Sequence, residues 1–270
     1  MTALTALLQS RSLLRISGPD RSHWLQGLLT QNTLDLGPGE LRFGALLSPQ
    51  GKLLFDLFFG ASEDSLMLDV EAKRRDLLLH RLMMYRLRAD VAITAIEGPT
   101  AVWAQWGDGA PPEGSCWRRD PRLPGLGWRA WSEELSATAS ESQWSAHCLA
   151  LGVPDPARDT VPDQTWPIEA DFDLLNGIDF GKGCFVGQET TSRMKRRGQI
   201  RSRMLPIRFE GAPPAPGAEI LAGELRAGEV LNGIEGRAMA RVRLDRIAGA
   251  DLTVEGRPVQ ADPPAWMDLN

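Results

Sequence analysis

The first hundred residues combine short apolar runs with two stretches of helical spacing. The apolar runs predict one strand followed by a three-stranded meander, at residues 13–17, 41–47, 52–59 and 65–70. One predicted helix follows Gly18-Pro19-Asp20 and has a single apolar stripe, formed by Trp24, Leu25, Leu28 and Leu29. A second covers 72–86, with apolar positions at Leu78, Leu82 and Tyr85, and leads into a strand at 91–96. This order of elements indicates an α+β domain that contains a βαβ unit.

The stretch after Pro99 has a similar pattern of apolar and polar residues. It predicts strands at 101–106 and around 127–131, separated by a loop rich in Gly and Pro, and then a helix at 140–151. The residues leave open whether this half repeats the topology of the first. The linker at 152–167 is rich in Pro and Asp, which predicts an exposed, ordered connection rather than a helix.

The last seventy residues change character. Short alternating segments are separated by Gly and Pro, at residues 204–209, 218–221, 227–231, 238–244 and 252–254. Such a series predicts a small all-β barrel.

Composition narrows the class of protein. The chain has 270 residues, of which 43% are hydrophobic, and a formal net charge of -5, so it can bury a sizeable core and lacks a general nucleic-acid-binding charge. No apolar run is long enough to span a bilayer, and because the fold pattern begins by Leu13 we expect no cleaved leader. Cys116, Cys148 and Cys184 are too widely spaced for a disulfide framework or a metal knuckle, which predicts a reducing cytoplasm and no metal site.

The most informative stretch runs from Gly177 to Arg193. Glycines at 181, 183 and 187 predict a tight loop around Lys182 and Cys184, followed by a short helix that ends at Gly198. A thiol near a helix N-terminus and a lysine has a lowered pKa, which favours the reactive thiolate. The alternative is an inert cysteine buried in a glycine-rich turn.

The order Lys182-Gly183-Cys184-Phe185-Val186-Gly187-Gln188-Glu189, followed by Arg193, resembles the signature of the YgfZ family of folate-binding proteins. That family includes the mitochondrial assembly factors for iron–sulfur proteins and is related to the T-protein (aminomethyltransferase) of the glycine cleavage system. The resemblance implies an α+β fold of the T-protein type, with two α+β domains of mixed or antiparallel sheets and a small C-terminal β-barrel around a central folate cavity. We expect units at residues 1–98, 99–165, 166–200 (the cysteine loop and its helix) and 201–270.

The resemblance also implies a bound tetrahydrofolate or derivative. Asp56 interrupts an otherwise apolar strand, and it occupies a position similar to the aspartate that contacts the reactive folate nitrogen in T-proteins. An outward-facing strand position is the other reading of Asp56. Further candidates for the folate site are Tyr85, Arg86, Arg129 and Glu169. Arg129 stands near the place where T-proteins have a pterin-binding glutamate, and this departure argues against T-protein chemistry.

The hypothesis is therefore a monomeric folate-binding protein that assists iron–sulfur proteins, including tRNA-modifying enzymes, or their assembly factors. Its functional groups are Cys184 and Lys182, with Gly183, Gly187, Gln188, Glu189 and Arg193 as supporting residues. We expect neither direct nucleic-acid binding nor a membrane association. Two alternatives stay open, which are a tetrahydrofolate-dependent one-carbon transferase and a folate-responsive interaction module without a reaction of its own.

Overall fold

Two antiparallel sheets and one closed barrel contain the strands of the computed structural model, which describes residues 3–111, 116–198 and 200–268. The strands, in chain order, are β1 (Leu4–Leu7), β2 (Arg11–Ser17), β3 (Leu41–Leu47), β4 (Leu53–Ser62), β5 (Ser65–Glu71), β6 (Ala92–Ala95), β7 (Ala101–Trp106), β8 (Trp117–Arg119), β9 (Trp128–Ser132), β10 (Ser202–Arg208), β11 (Glu219–Ala222), β12 (Leu225–Ile234), β13 (Arg237–Arg243), β14 (Leu252–Val254) and β15 (Arg257–Ala261). The helices are α1 (Arg21–Gln26), α2 (Arg75–Arg86), α3 (Glu141–Ala150), α4 (Pro156–Asp159), α5 (Gln188–Arg197) and α6 (Leu244–Ile247). In this part of the chain no helix has the length and apolarity needed to cross a membrane.

The first sheet has the strand order β3-β4-β5-β2-β6. Because β5 and β6 are both antiparallel to β2, they run parallel to each other, and α2 connects them. The predicted βαβ unit is therefore present, with β2 inserted between its strands. Helices α1 and α2 cover one face of this sheet through a cluster that includes Leu25, Leu78 and Leu82. Helix α1 ends at Gln26, earlier than predicted, since Leu29 leaves the helix to form a bridge with Leu46 of β3.

The second sheet has the order β1-β7-β9-β8. Its edge strand β1 comes from the N-terminus and pairs with β7 from Leu4↔Trp106 to Leu7↔Trp103. The sequence patterns did not predict β1. The chain thus begins in the second sheet and crosses to the first, so residues from both sides of position 98 build one sheet.

The stretch 152–167 differs from the exposed connection that was predicted. It contains α4, and Val153, Asp159 and Thr165 are 1%, 6% and 3% exposed. The stretch lies against the first sheet, where the backbone N–H of Leu53 donates to Thr165 O and that of Asp163 donates to Leu53 O, both at 2.9 Å. Most of the segment is therefore packed, although residues 161–164 are exposed.

The C-terminal strands form a closed six-stranded barrel in the order β10-β13-β12-β11-β14-β15, and pairing of β10 with β15 closes it. Strand β15 was missing from the predicted set. The predicted helix after the cysteine loop is α5, which begins after Gly187 and ends at Gly198, two glycines with φ of 81° and 65°. With two sheets, helices and this barrel, the predicted α+β fold class is confirmed.

Candidate functional site

Buried charges lie between the two sheets. Side chains alternate along β4, so Asp56 and Phe58 point away from the helix-covered face. Arg11 of β2 lies on that same face and donates to Asp56 Oδ2 at 2.8 Å and to Asp69 Oδ1 at 2.7 Å. Asp56 is 6% exposed and Asp69 is fully buried. The outward-facing reading of Asp56 is therefore wrong, and this carboxylate is paired inside the protein.

The second sheet completes this arrangement from the opposite side. Arg129 of β9 donates to Asp69 Oδ2 at 2.6 Å, and its guanidinium lies 3.8 Å from the centre of the Phe58 ring. Arg122 forms a bidentate pair with Asp120, at 3.0 and 2.8 Å. Burial opposes the charge of Asp120, but Arg122 prevails and lowers the pKa of this carboxyl group. We call this set the inter-sheet charge cluster; its members are Arg11, Asp56, Asp69, Asp120, Arg122 and Arg129.

Two adjoining cavities open beside the cluster. The larger, of about 440 Å³, lies between α3, the segment around α4 and the barrel strands β12 and β13. The smaller, of about 40 Å³, reaches Arg11, Asp56 and Arg129. The two share wall residues, among them Asp155 and Cys148. Nε of Arg129 is buried and has no hydrogen-bond partner among the described residues. Its contact with Asp120 Oδ2 is 3.9 Å long, which is too far for a hydrogen bond, so this N–H of a cavity-lining residue stays unused.

The structure brings only part of the predicted folate set together. Asp56 and Arg129 line the same cavity. Tyr85 and Arg86 are at the end of α2, on the opposite face of the first sheet, where the Tyr85 carbonyl accepts from Trp24 Nε1 and Arg86 is exposed. Glu169 lies near the barrel, 3.8 Å from the guanidinium of Arg241, and lines a different cavity. The sequence order gave no information on which face of the sheet each residue occupies.

Several residues of the charge cluster and of the cavity walls were missed. Asp69 breaks an apolar strand in the same way as Asp56, so the same signal could have found it. Asp159 is buried and accepts from the backbone N–H of Asp155 at 2.7 Å and from the side-chain amide of Asn232 on β12. Burial, with the nearby Asp155 second, raises its pKa to about 8. No sequence pattern connects position 159 with 232, because only the packed barrel brings them together.

The cysteine loop is anchored to α1. The ammonium of Lys182 donates to the carbonyl oxygens of Gln26 and Leu29, and Gln26 Nε2 donates back to Lys182 O at 3.0 Å. Burial lowers the pKa of Lys182 to about 8, although Asp179 acts in the opposite sense. Lys182 thus caps carbonyls at and just beyond the end of a helix. These contacts give no support to the expectation that it activates the thiol, because its donors point to α1.

The next residues of the loop pack on both faces of the first sheet at its edge strand β3. Phe185 packs into the core cluster of Phe43 and Phe58, whereas Val186 packs against the helix-side cluster and donates its backbone N–H to Gly27 O. Gly187 sits against the β3–β4 turn so closely that a Cβ would lie 2.6 Å from Ser48 O. Only glycine fits this position, which also has a φ of 81°.

Between these anchors the side chain of Cys184 is exposed, so the thiol is not a buried packing element. Gly183 beside it has open space where a Cβ would lie. Gln188 begins α5, while Glu189 and Arg193 are exposed and form no ion pair with each other. Cys148 differs, since burial raises its pKa to about 12. The described residues contain no group of three or more His, Cys, Asp or Glu side chains that could hold a metal ion.

Comparison with known proteins places this geometry in a family. Residues 201–269 match the model of the CAF17 C-terminal β-barrel domain. The chain is 30% identical to the mitochondrial iron–sulfur cluster assembly factor IBA57 homolog of Pyricularia oryzae, over 96% of this chain and 76% of that protein. It is 31% identical to mitochondrial IBA57 of Homo sapiens, over 82% of this chain and 74% of that protein. The chain belongs to the IBA57 family.

A solved structure supports the fold independently of close sequence likeness. Aminomethyltransferase T of the glycine cleavage system from Bartonella henselae superposes with a TM-score of 0.79 at 17% identity, covering 98% of this chain and 86% of that one. The expected aminomethyltransferase-like fold is confirmed. The relatives identify IBA57 where the motif had suggested the YgfZ family. They also contradict the predicted cytoplasmic location, because these relatives and the Mus musculus protein are named as mitochondrial.

Proposed function

We propose that this protein is a folate-binding iron–sulfur cluster assembly factor in which Cys184 is the functional thiol. The observation that carries the proposal is the exposed Cys184 side chain on a loop held at both ends by Lys182 and Gly187. Family membership gives the chemical setting, because the named relatives are iron–sulfur cluster assembly factors. An exposed thiol on an anchored loop can meet another protein without rearrangement of the core.

In this proposal the iron–sulfur cluster is the cargo that the protein helps to transfer. Iron–sulfur clusters are held mainly by cysteine thiolates, typically four for each cluster. Cys184 can supply one, and the described residues provide no metal-binding group around it. The other ligands must then come from a partner that carries or receives the cluster. We expect the beneficiaries to be iron–sulfur enzymes, including those that modify tRNA.

We assign the folate to the two adjoining cavities beside the inter-sheet charge cluster. The larger volume, about 440 Å³, lies in the range of small-molecule sites. The unpartnered Nε of Arg129 offers a donor to a ligand acceptor, and Asp56 offers a carboxylate oxygen. A reduced folate, when bound, supplies nitrogen atoms that carry one-carbon units. Asp56 and Arg129 would bind and orient it, and their buried surroundings would exclude water from them.

The alternative is a one-carbon transferase of the aminomethyltransferase type, which would use the same cavity. Turnover separates the two functions. Purified protein with tetrahydrofolate and an aminomethyl donor, alone or with a carrier protein, should show no turnover at ordinary enzymatic rates. Robust turnover would replace the assembly proposal by the transferase.

The test of the thiol uses Cys184→Ser in a strain that lacks the gene. The variant should fold with unchanged stability, because the side chain is exposed, yet should not restore iron–sulfur enzyme activity. Cys116→Ser is the matched control, since Cys116 is also exposed and should restore activity. Alkylation followed by mass spectrometry should modify Cys184 at least about 100-fold faster than the buried Cys148 near neutral pH. Full rescue by Cys184→Ser would refute the proposed thiol.

The test of the folate site is a titration with tetrahydrofolate. Asp56→Asn removes the charge at nearly constant shape and should weaken binding about tenfold. Asp163→Asn, an exposed change in the segment after α4, should bind like the wild type. Equal affinity of wild type and Asp56→Asn would remove Asp56 from the site.

A further inference from the structure

Helix α2 has apolar residues on two faces. Leu78 and Leu82 are fully buried against the first sheet. A second, exposed set lies on the side of the helix away from the sheet and at its end. We call this set the α2 outer face; its members are Leu77, Met83, Met84 and Leu87, which are 56%, 43%, 65% and 87% exposed. Large apolar residues that gather on one exposed surface mark a site of interaction, so another molecule is expected to cover this face.

Leu87 ends the helix in an unfavourable conformation. Its φ is 46°, in the left-handed region that favours glycine. Among the described residues it is the one apolar residue, other than glycine, with a positive φ. In the free protein neither the backbone conformation nor the hydration of this side chain is favourable. A partner that covers Leu87 would offset part of that cost.

Three cations without partners border the α2 outer face. Arg86 and Arg88 are exposed, and Arg81 is half-buried. None of their side chains makes an ion pair or a hydrogen bond within the described residues. The acidic residue of the helix, Asp76, lies near its other end and is paired with Arg75. Charge complementarity therefore favours a partner whose apolar residues are bordered by Asp or Glu.

Helix α1 connects this face to the cysteine loop. Nε1 of Trp24 donates to the carbonyl oxygen of Tyr85, near the end of α2, at 3.0 Å. Two residues later, Gln26 Nε2 donates to Lys182 O in the loop that exposes Cys184, also at 3.0 Å. Because α1 has only six residues, about 9 Å of helix, one partner of ordinary interface size can cover the outer face and reach the thiol.

We propose that the α2 outer face is the docking surface for the protein that carries or receives the cluster, and that this partner meets it with apolar side chains bordered by carboxylates. The inference rests on the proposed function and adds the surface that holds the partner while Cys184 reaches the cluster. Methionine suits such a contact, because its flexible side chain adapts to the shape of a partner. An anionic membrane would attract the same side chains, but it supplies no cysteine ligands for the cluster.

The first test places the photo-crosslinking residue benzoylphenylalanine at position 83 or 180 of the full chain, in a strain that lacks the gene. Phe180 is 36% exposed and precedes Cys184 by four residues. After irradiation, mass spectrometry should identify the same protein at both positions, and that protein, once purified, should bind an iron–sulfur cluster. Met84→Glu should lower the crosslinking yield at position 180 about tenfold, as the loss of an interface hot spot does. Different proteins at the two positions, or an unchanged yield, would overturn the inference.

The second test measures the iron–sulfur enzyme activity that each variant restores in that strain. Met84→Glu keeps the helix propensity and Arg88→Glu reverses one exposed charge, so both should fold like the wild type in urea unfolding. Each should restore about fivefold less activity. Leu225→Glu is the matched control, since Leu225 is 62% exposed on the barrel strand β12, and it should restore full activity.

The same assay separates the inference from the function on which it rests. If Met84→Glu and Arg88→Glu restore full activity while Cys184→Ser does not, the inference fails and the proposed thiol stands. If Cys184→Ser restores full activity, both fail.

Purified protein tests the other occupants of the α2 outer face. We expect a monomer in sedimentation velocity and no binding to phosphatidylglycerol vesicles. A dimer that Met84→Glu dissociates would assign the face to a second copy of the chain, and vesicle binding that Met84→Glu abolishes would assign it to a membrane. Either result would overturn the inference.

Discussion

The inter-sheet charge cluster and the cysteine loop differ in whether the candidate functional residues also stabilise the fold. In the cluster the candidate ligand groups Asp56 and Arg129 are themselves members of buried ion pairs, and the pair of Arg129 with Asp69 joins the two sheets. In the loop, different residues have these two roles. Lys182, Phe185 and Gly187 make the stabilising contacts, and the candidate functional residue Cys184 is exposed. Substitution of the thiol therefore tests function alone, whereas substitution in the cluster changes stability as well.

The two regions also lie apart. Asp56 faces the second sheet, while the loop crosses the β3 edge and contacts the helix side through Val186. Cys184 is absent from the walls of the cavities that Asp56 lines. Phe185 and Phe58 nevertheless belong to one core cluster, so aromatic packing connects the two regions. A protein that uses both would bind folate in one place and meet its partner in another.

The largest expected effect is in the cluster, at Asp69. This buried carboxylate accepts from Arg11 and Arg129, so Asp69→Asn leaves two buried guanidinium groups without their shared countercharge. Breaking a buried pair in this way costs about 3–5 kcal/mol. Urea unfolding should show the loss, whereas the exposed Asp163→Asn should stay within about 0.5 kcal/mol of the wild type. A loss below about 1 kcal/mol at Asp69 would mean that the cluster does not hold the sheets together.

A smaller effect distinguishes the two glycines of the loop. Gly187→Ala places a Cβ 2.6 Å from Ser48 O and 2.8 Å from Gly51 Cα, at a φ of 81°. Gly183→Ala carries a similar backbone strain at φ 94° but meets no atom within 4 Å. Strain alone costs about 1 kcal/mol, and the close contact should add about 1–2 kcal/mol at Gly187. Equal losses in urea unfolding would show that the loop is not anchored against the β3–β4 turn.

The spacing of apolar residues was sufficient to predict the elements that have an amphipathic surface of their own. It predicted the meander β3-β4-β5, the helix α2 and most barrel strands, since apolar spacing there reports directly on burial. Strand β1 was missed because four residues carry little periodicity, and its partner β7 is a hundred positions away. The linker was misjudged because its residues contact a strand that is far away in the sequence, as Asp163 and Thr165 do with Leu53 of β4.

The candidate site was harder to predict for the same reason. The motif correctly placed Cys184 on a glycine-rich loop before a helix. It could not show that Lys182 caps α1, a contact between residues more than 150 positions apart. Tyr85, Arg86 and Glu169 were grouped with Asp56 by resemblance, but the faces of the first sheet and the barrel separate them. Contacts between distant segments determine which residues share a site, and the local spacing of residues does not predict these contacts.

The smallest expected effect concerns the anchoring lysine and its pH dependence. An unfolded lysine keeps its proton up to about pH 10.4, whereas Lys182 in the folded protein has a pKa of about 8. Between these values the unfolded chain binds more protons, so the free energy of unfolding rises with pH. Solvent reaches part of the side chain, which keeps this slope shallow. Lys182→Met lacks the titration, and its stability relative to the parent should therefore decline from pH 8 to 10. Urea midpoints measured in a Cys184→Ser background exclude thiol chemistry from the comparison. Parallel curves for the two proteins would mean that the ammonium is solvated and that another contact anchors the loop to α1.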